Sequence, residues 1–256
     1  MSKVFSPLSD EFYSIPKAEL LFQPRGSTKF LNLGDADSVE ITISVEETDR
    51  YANNQATRTL VKRVVSQVDA EVSMTLAQMS PYARAASLMS TATVMTQAAA
   101  TDQTLVIPSA DVEAGGIYRL PRLSVSGVEL TSATGTGTWV ANTHFRVDAA
   151  AGLVEIVAIP SGLSGDLTIG YDAAAITSGH QSGIADGTGI RGRLIVRGIN
   201  AIGVKSLVEL HDVELRPASA RALISESDFG TVELSGRAYP DGTQPAGFQI
   251  GRESTL

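Results

Sequence analysis

The sequence predicts a mainly β protein: a β-sandwich or barrel with one short flanking helix, plus an inserted small all-β domain. Three observations point there. The 256 residues include 23 glycines and only 5% aromatic residues, with heavy use of Val, Ile, Thr and Ser, a composition that suits extended, turn-rich chains. The row SVEITISVEE, from Ser38, alternates strictly, with Val39, Ile41, Ile43 and Val45 on one side and polar residues on the other. Beyond residue 97 the composition shifts to short strand-like pieces separated by Gly and Ser, the mark of an insertion.

In chain order, the residues up to about Leu21 mix Pro7 and Pro16 with polar residues and read as an arm or irregular lead-in. The first alternating strand follows. A second run, residues 60–76, places Val68, Val72, Met74 and Leu76 on a common face, and the two pair as an antiparallel hairpin. Between them ETDRYANNQATRT is polar, lacks Gly and Pro, and exceeds the two to about five residues usual in hairpin loops. Such a segment is either a mobile surface loop or a loop with a partner. Next comes SPYARAASLMS, where Ser80 caps a helix, Pro81 takes its first position, and Tyr82, Ala85, Ala86 and Met89 form its buried stripe.

Residues 97–176 read as the inserted domain, with strands TLVIP, IYRLPRLSVSG, THFRVD, LVEIVAI and DLTIGYDA. Residues 1–96 and 177–256 then form one discontinuous domain. Its second part opens on the Gly-rich connector SGHQSGIADGTG, followed by two long strands in IRGRLIVRGINAIGVKSLVELHDVELRP and a last strand in FGTVELSGRAY. A polar tail ends the chain. Two antiparallel sheets packed face to face are the economical arrangement for the body.

Charge and composition narrow the function. Acids outnumber bases 28 to 20, for a net charge of -8, so long-range electrostatics disfavour a DNA-reading protein. The absence of cysteine removes disulfides and thiolate metal sites. His144, His180 and His211 are far apart in sequence, and His211 and Asp212, adjacent on a strand, are poorly placed to bind one ion. No cofactor or metal is expected. GTGIRG matches the dinucleotide-binding pattern at residues 187–192, but a Gly-rich loop precedes it and a β-type run follows, whereas phosphate binding needs a strand before and a helix after. No serine sits in a nucleophile elbow, so nothing in the sequence favours an enzyme. No apolar run is long enough for a membrane helix, and the N-terminus lacks the apolar core of a signal peptide, so synthesis in the cytoplasm is expected.

The stretch FLNLGDADSVEITISVEETDR, the polar loop, and RVVSQVDAEVSMTLAQMSPYARAASLMS together resemble the N-terminal half of major tail tube proteins of long-tailed bacteriophages. The likeness lies in the Leu33, Gly34, Asp35 turn, the acidic strand end, the long loop, and the strand leading into a short Ala-rich helix. NTHFRVDAAAGLVEIV and LTIGYDAA resemble small β domains of phage tail proteins, with Phe145 where Tyr is common and Asn142 where Gly is common.

The resemblance implies a structural virion protein made in the host cytoplasm. Its homo-hexameric rings would stack into a tube, meet tape measure, tail terminator and distal tail proteins, and pass double-stranded DNA without binding it specifically. It assigns inter-ring contact to the loop at residues 46–59, namely Glu46, Glu47, Asp49, Arg50, Tyr51, Asn53, Asn54, Gln55 and Arg58. Glu40, Asp69, Glu71, Glu209, Asp212 and Glu214 are the candidate lumen acids, whose repulsion would keep DNA moving, and the insertion is expected on the tube exterior. The alternatives are the tube protein of a contractile tail or bacterial injection machine, and a carbohydrate-binding β-sandwich module, for which Trp139 is the one aromatic candidate.

Overall fold

A computed structural model describes residues 15–53, 57–187 and 189–255. The elements in chain order are β1 (Ala18–Pro24), β2 (Leu31–Asn32), β3 (Ala36–Tyr51), β4 (Leu60–Leu76), helix α1 (Pro81–Ala86), β5 (Thr93–Gln97) and β6 (Ala100–Ile107). They continue with a 3-10 turn (Ser109–Asp111), β7 (Ile117–Arg119), β8 (Val125–Gly135), β9 (Phe145–Asp148), β10 (Leu153–Ile156), β11 (Leu163–Ala173) and β12 (Ile176–Gln181). The last four are β13 (Ile190–Gly198), β14 (Ser206–Pro217), β15 (Val232–Ala238) and β16 (Gly251–Thr255). The protein is mainly β, every strand pair is antiparallel, and α1 is its one α-helix among the described residues.

Two compact units divide the chain: one runs up to Ala92 and resumes at Ser182, the other is Thr93–Gln181. The second is slightly wider than the composition shift suggests because β5 and β12, at its two chain ends, pair with each other from Gln97 and Ile176 to Thr93 and Gln181.

In the first unit the strands form one continuous sheet, in the order β2-β1-β13-β14-β15-β4-β3, with β16 beside β14. This differs from the expected pair of face-to-face sheets: one face of a single sheet, closed by Leu33 and α1, supplies the whole core. The path is open at β2 and β3, so no barrel closes. Buried core residues recur at every second position, Leu20 and Phe22 on β1, Val72, Met74 and Leu76 on β4, Val213 and Leu215 on β14, and Val232 and Leu234 on β15. At about 1.5–3 kcal/mol for each large buried side chain, this face dominates the unit's stabilisation. Ser80 caps α1 by accepting from the Ala83 amide, Pro81 opens it, and Ala83, Ala85 and Ala86 are buried. The helix ends before Met89, which takes a left-handed φ of 53°, so the buried face is shorter than the stripe read from sequence and includes Ala83.

Two strands escape the sequence reading. Of the expected lead-in, residues 1–14 lie outside the described residues and its end, from Ala18, belongs to strand β1, paired along its length with β13, while the assumed polar tail contains β16, paired with β14 from Leu210↔Gly251 to Ser206↔Thr255. Strand β14 thus shares one edge between two partners, since β15 covers only Val213 to Pro217. Gly192 makes the β1 pairing possible: a Cβ there would lie 2.1 Å from the Gln23 carbonyl oxygen.

The second unit holds two three-stranded sheets, β6-β11-β8 and β7-β10-β9, which share a core that includes Leu130, Phe145, Val154, Ile156, Leu167 and Ile169. IYRLPRLSVSG is two strands, β7 and β8, because Leu120 and Pro121 interrupt the ladder.

Candidate functional site

The hairpin of β3 and β4 is longer than the core it serves. Its register pairs Val39 with Met74, Ile41 with Val72, Ile43 with Ala70 and Val45 with Val68, so all eight side chains point to the core side of the sheet. Met74, Val72 and Ala70 are buried, yet Ile41 is 41%, Ile43 68%, and Val45 and Val68 each 50% exposed. The core face therefore continues past the core as an apolar strip on solvent. Strand β3 is also the sheet's outer edge, with 16 residues paired on one side only among the described residues. A long apolar edge of this kind is what monomeric proteins avoid, by charge, proline or a covering segment.

The proposed contact loop is shorter than its sequence suggested, because the strands run on to Tyr51 and Leu60. Glu46, Glu47, Asp49, Arg50 and Tyr51 are thus strand residues, Asn53 and Arg58 lie in the connection, and Asn54 and Gln55 fall outside the described residues. Register shifts at Glu46/Glu47 and Arg50/Tyr51 mark bulges in this distal half. Arg63 bridges Glu47 at 3.1 Å and Asp49 at 2.8 Å, and its guanidinium holds the Asp49 carboxyl below the usual carboxylate range. The Arg58 guanidinium lies 5.4 Å over the Tyr51 ring.

All six candidate lumen acids lie on the opposite, non-core face of the sheet, as the alternation along β3, β4 and β14 requires. Five of them are matched by arginines. Arg237 reaches Glu71 at 3.2 Å and Asp69 at 4.0 Å, and Arg191 donates two hydrogen bonds to Asp212 at 2.8 and 2.7 Å. Glu214 accepts from Arg216 and, at 3.1 Å, from the Tyr239 hydroxyl, and the Arg216 guanidinium holds its carboxyl below the ordinary range. Glu209 is clasped from both sides, by Arg193 at 2.8 Å and by Arg252 of β16 at 2.7 Å, with its own side chain only 6% exposed. Glu40 makes no ion pair among the described residues. Apart from the Glu214–Arg216 pair within β14, the face is a ladder of cross-strand ion pairs and not a bare acidic surface, which the sequence could not reveal because those partners come from other strands.

A polar cleft of about 610 Å³ opens beside this ladder, lined by Arg25, Arg191, Arg193, His211, Asp212 and Asp241 among others. His211 and Asp212 sit where the register shifts between Gly192 and Leu194. The His211 Nδ1 faces Arg193 at 3.3 Å, while Nε2 is buried without a partner. Arg191 and Arg193 are engaged by Asp212 and Glu209. No group of three or more His, Asp or Glu among the described residues is arranged to hold a metal ion. The Gly-rich run at residues 187–192 leads into β13, and no helix follows it. Trp139 is 9% exposed, donates its indole N–H to Ser132 at 3.1 Å and meets the His144 ring edge-on at 6.3 Å, so it is a core residue of the second unit and no exposed sugar platform.

One further apolar feature had no signal in the sequence reading. The segment at residues 218–231, between β14 and β15, exposes Leu223 by 80%, Ile224 by 93% and Phe229 by 97%.

Fold and surface define a mainly β, two-unit protein whose largest sheet ends in a hairpin with one edge unpaired among the described residues. The chain belongs to the family described as "Protein of unknown function UCP028589", whose model matches residues 18–252. A search of the curated proteins finds no match.

Proposed function

We propose that the chain is a structural tube protein of a bacteriophage tail, which assembles with copies of itself into stacked hexameric rings around a channel for DNA. The observation that supports this reading most is the β3–β4 hairpin: a 16-residue strand with one unpaired edge and an apolar strip beyond the core gains both hydrogen bonds and burial if a second copy continues the sheet. Nothing else among the described residues of the first unit covers that surface. A closed ring of such sheets leaves no open edge, which is the physical reason a barrel is favoured over a free sheet.

Under this reading the ladder of acids and arginines is the candidate channel lining. Its charges largely neutralise one another, and Glu40 and Glu46, for which no ion pair forms among the described residues, share the face with Arg50 and Lys62. With screening over about 8 Å at physiological ionic strength, a passing duplex would meet a wall that neither holds nor strongly repels phosphate. The overall charge of -8 points the same way. The tube proteins of contractile tails and injection machines share the requirement for an open edge and remain the nearest second reading. The carbohydrate-binding alternative is weakened by the burial of Trp139.

Negative-stain microscopy and sedimentation of the purified chain test the reading. Rings or tubes are expected, and a chain lacking residues 53–57 at the hairpin tip is expected to form rings that stack poorly. A protein that stays monomeric at every concentration and salt overturns the proposal.

A further inference from the structure

Strand β14 carries a bulge on the polar face of the large sheet. Gly192 pairs with Val213 and Leu194 with Leu210, so Arg193 alone stands opposite two residues, His211 and Asp212. In a regular strand these neighbours would point to opposite faces. The bulge turns both onto the polar face, where Asp212 meets Arg191 and His211 meets Arg193. Both line the cleft of about 610 Å³, whose walls are the turn at residues 24–27 and the loop at residues 240–244. Backbone hydrogen bonds fix these walls. The Ser27 amide donates to the Pro24 carbonyl at 3.0 Å, the Arg25 amide to the Arg191 carbonyl at 2.9 Å, and the Asp241 amide to the Gln249 carbonyl at 2.9 Å.

Inside the cleft, donors are left over and acceptors are not. A guanidinium has only N–H groups to offer, so the His211 Nδ1, 3.3 Å from Arg193, accepts, and the proton of the neutral ring sits on Nε2. That Nε2 is the one buried side-chain polar atom among the described residues without a hydrogen-bond partner, on a residue only 8% exposed. Folded proteins seldom leave such a donor empty. The lining acids are engaged elsewhere: both oxygens of Asp212 by Arg191, and those of Asp241 by Thr243 and Gln244. On the opposite wall the Arg25 guanidinium makes no hydrogen bond or ion pair among the described residues. Three arginines against two aspartates leave one positive charge over in the lining of a chain whose net charge is -8.

We infer that the cleft is a binding site for an oxyanion, a phosphate or carboxylate group whose oxygens accept from the His211 Nε2 and from Arg25. Such a group only accepts hydrogen bonds and carries negative charge, which answers the spare donor and the spare cation together. The inference goes beyond the tube reading and does not depend on it. A free anion seated there cancels the positive surplus at that point of the polar face. A phosphate of DNA has the same chemistry, and the experiment separates the two sources.

Inorganic phosphate and acetate are titrated into the full chain at constant ionic strength made up with chloride. Binding is followed by calorimetry and by nitrogen-15 spectra of the three imidazoles, in solution or, for tubes, by magic-angle spinning, with His211 assigned through His211→Gln. At least one of the two anions is expected to saturate a site with a Kd on the order of 1 mM, moving the His211 Nε2 resonance and leaving His144 and His180 in place. Arg25 is exposed and held through its backbone alone, so Arg25→Gln is expected to fold like the wild type and to weaken binding at least about tenfold. Displacement of the bound anion by a short DNA duplex assigns the seat to DNA phosphates, and indifference to the duplex assigns it to a free anion. No saturation by either anion, an unmoved His211 resonance, a proton on Nδ1 in place of Nε2, or unchanged affinity in Arg25→Gln overturns the site. Assembly is scored separately in the microscope, so failure of the site leaves the tube reading standing and failure of the tube reading leaves the site.

Discussion

Glu209 and Glu71 illustrate how differently the same ion-pair chemistry weighs at two depths of one sheet face. The Glu209 side chain is 6% exposed and lies between two guanidinium groups from β13 and β16, whereas Glu71 is 55% exposed beside Arg237. Removing the charge from Glu209 leaves two partly desolvated arginines facing each other, while removing it from Glu71 exchanges a screened pair for water. Glu209→Gln is therefore expected to destabilise the protein by about 1–3 kcal/mol in a denaturant titration and Glu71→Gln by less than about 1 kcal/mol. Hydrogen exchange at β16 should rise selectively in Glu209→Gln. Glu214 allows a check by pH. Its folded carboxyl titrates below the ordinary value of 4.5, so its contribution is present above that value and is lost as pH falls through the lowered one. The stability difference between wild type and Glu214→Gln is expected to be full at neutral pH, to shrink below the ordinary value, and to vanish once the carboxyl is protonated in both the folded and unfolded chains. The partners of Glu209 and Glu71 were not legible in the sequence. The six acids could be placed on β3, β4 and β14, but apart from Arg216, two residues from Glu214 on β14, their arginines come from β13, β15 and β16, and only the register brings those within reach.

At the scale of elements, the hairpin was the most legible part because its two strands alternate over long runs and lie near each other in sequence. The extent of the loop was not legible, since ETDRY and RT carry no apolar alternation and are held extended by cross-strand pairs such as Asp49 with Arg63. Strands β1 and β16 were hidden for a related reason. AELLFQP places only Leu20 and Phe22 in the core between flanking prolines, GREST places none, and both become strands through partners far away in sequence. The exposed half of the hairpin yields a sharp expectation. Ile43→Lys changes a solvated side chain, so thermal unfolding of the isolated chain should shift by no more than about 0.5 kcal/mol equivalent. Assembly, followed by sedimentation, should be lost. A variant that assembles like the wild type would remove the strip from any interface.

For the whole molecule, the organisation into a discontinuous body and an insertion has a direct consequence for truncation. The two hydrophobic cores share no residue, and the paired ends of the second unit, Thr93 and Gln181, are opposite one another in a ladder, with Cα atoms about 5 Å apart. Excising residues 93–181 and bridging the gap with a short Gly/Ser linker should leave the first unit folded, with one cooperative transition in circular dichroism. Under the tube reading it should also leave rings and tubes intact in the microscope. Loss of all assembly in a folded deletion variant would show that the insertion takes part in the ring contacts.

The burial of Trp139 gives this molecule a built-in optical reporter. It is the chain's single tryptophan and lies wholly within the second unit's core, hydrogen-bonded to Ser132 and edge-on to His144. Indole emission therefore follows the melting of that unit alone and is blind to the large sheet, so fluorescence and far-ultraviolet dichroism recorded on one sample separate the two units without any label.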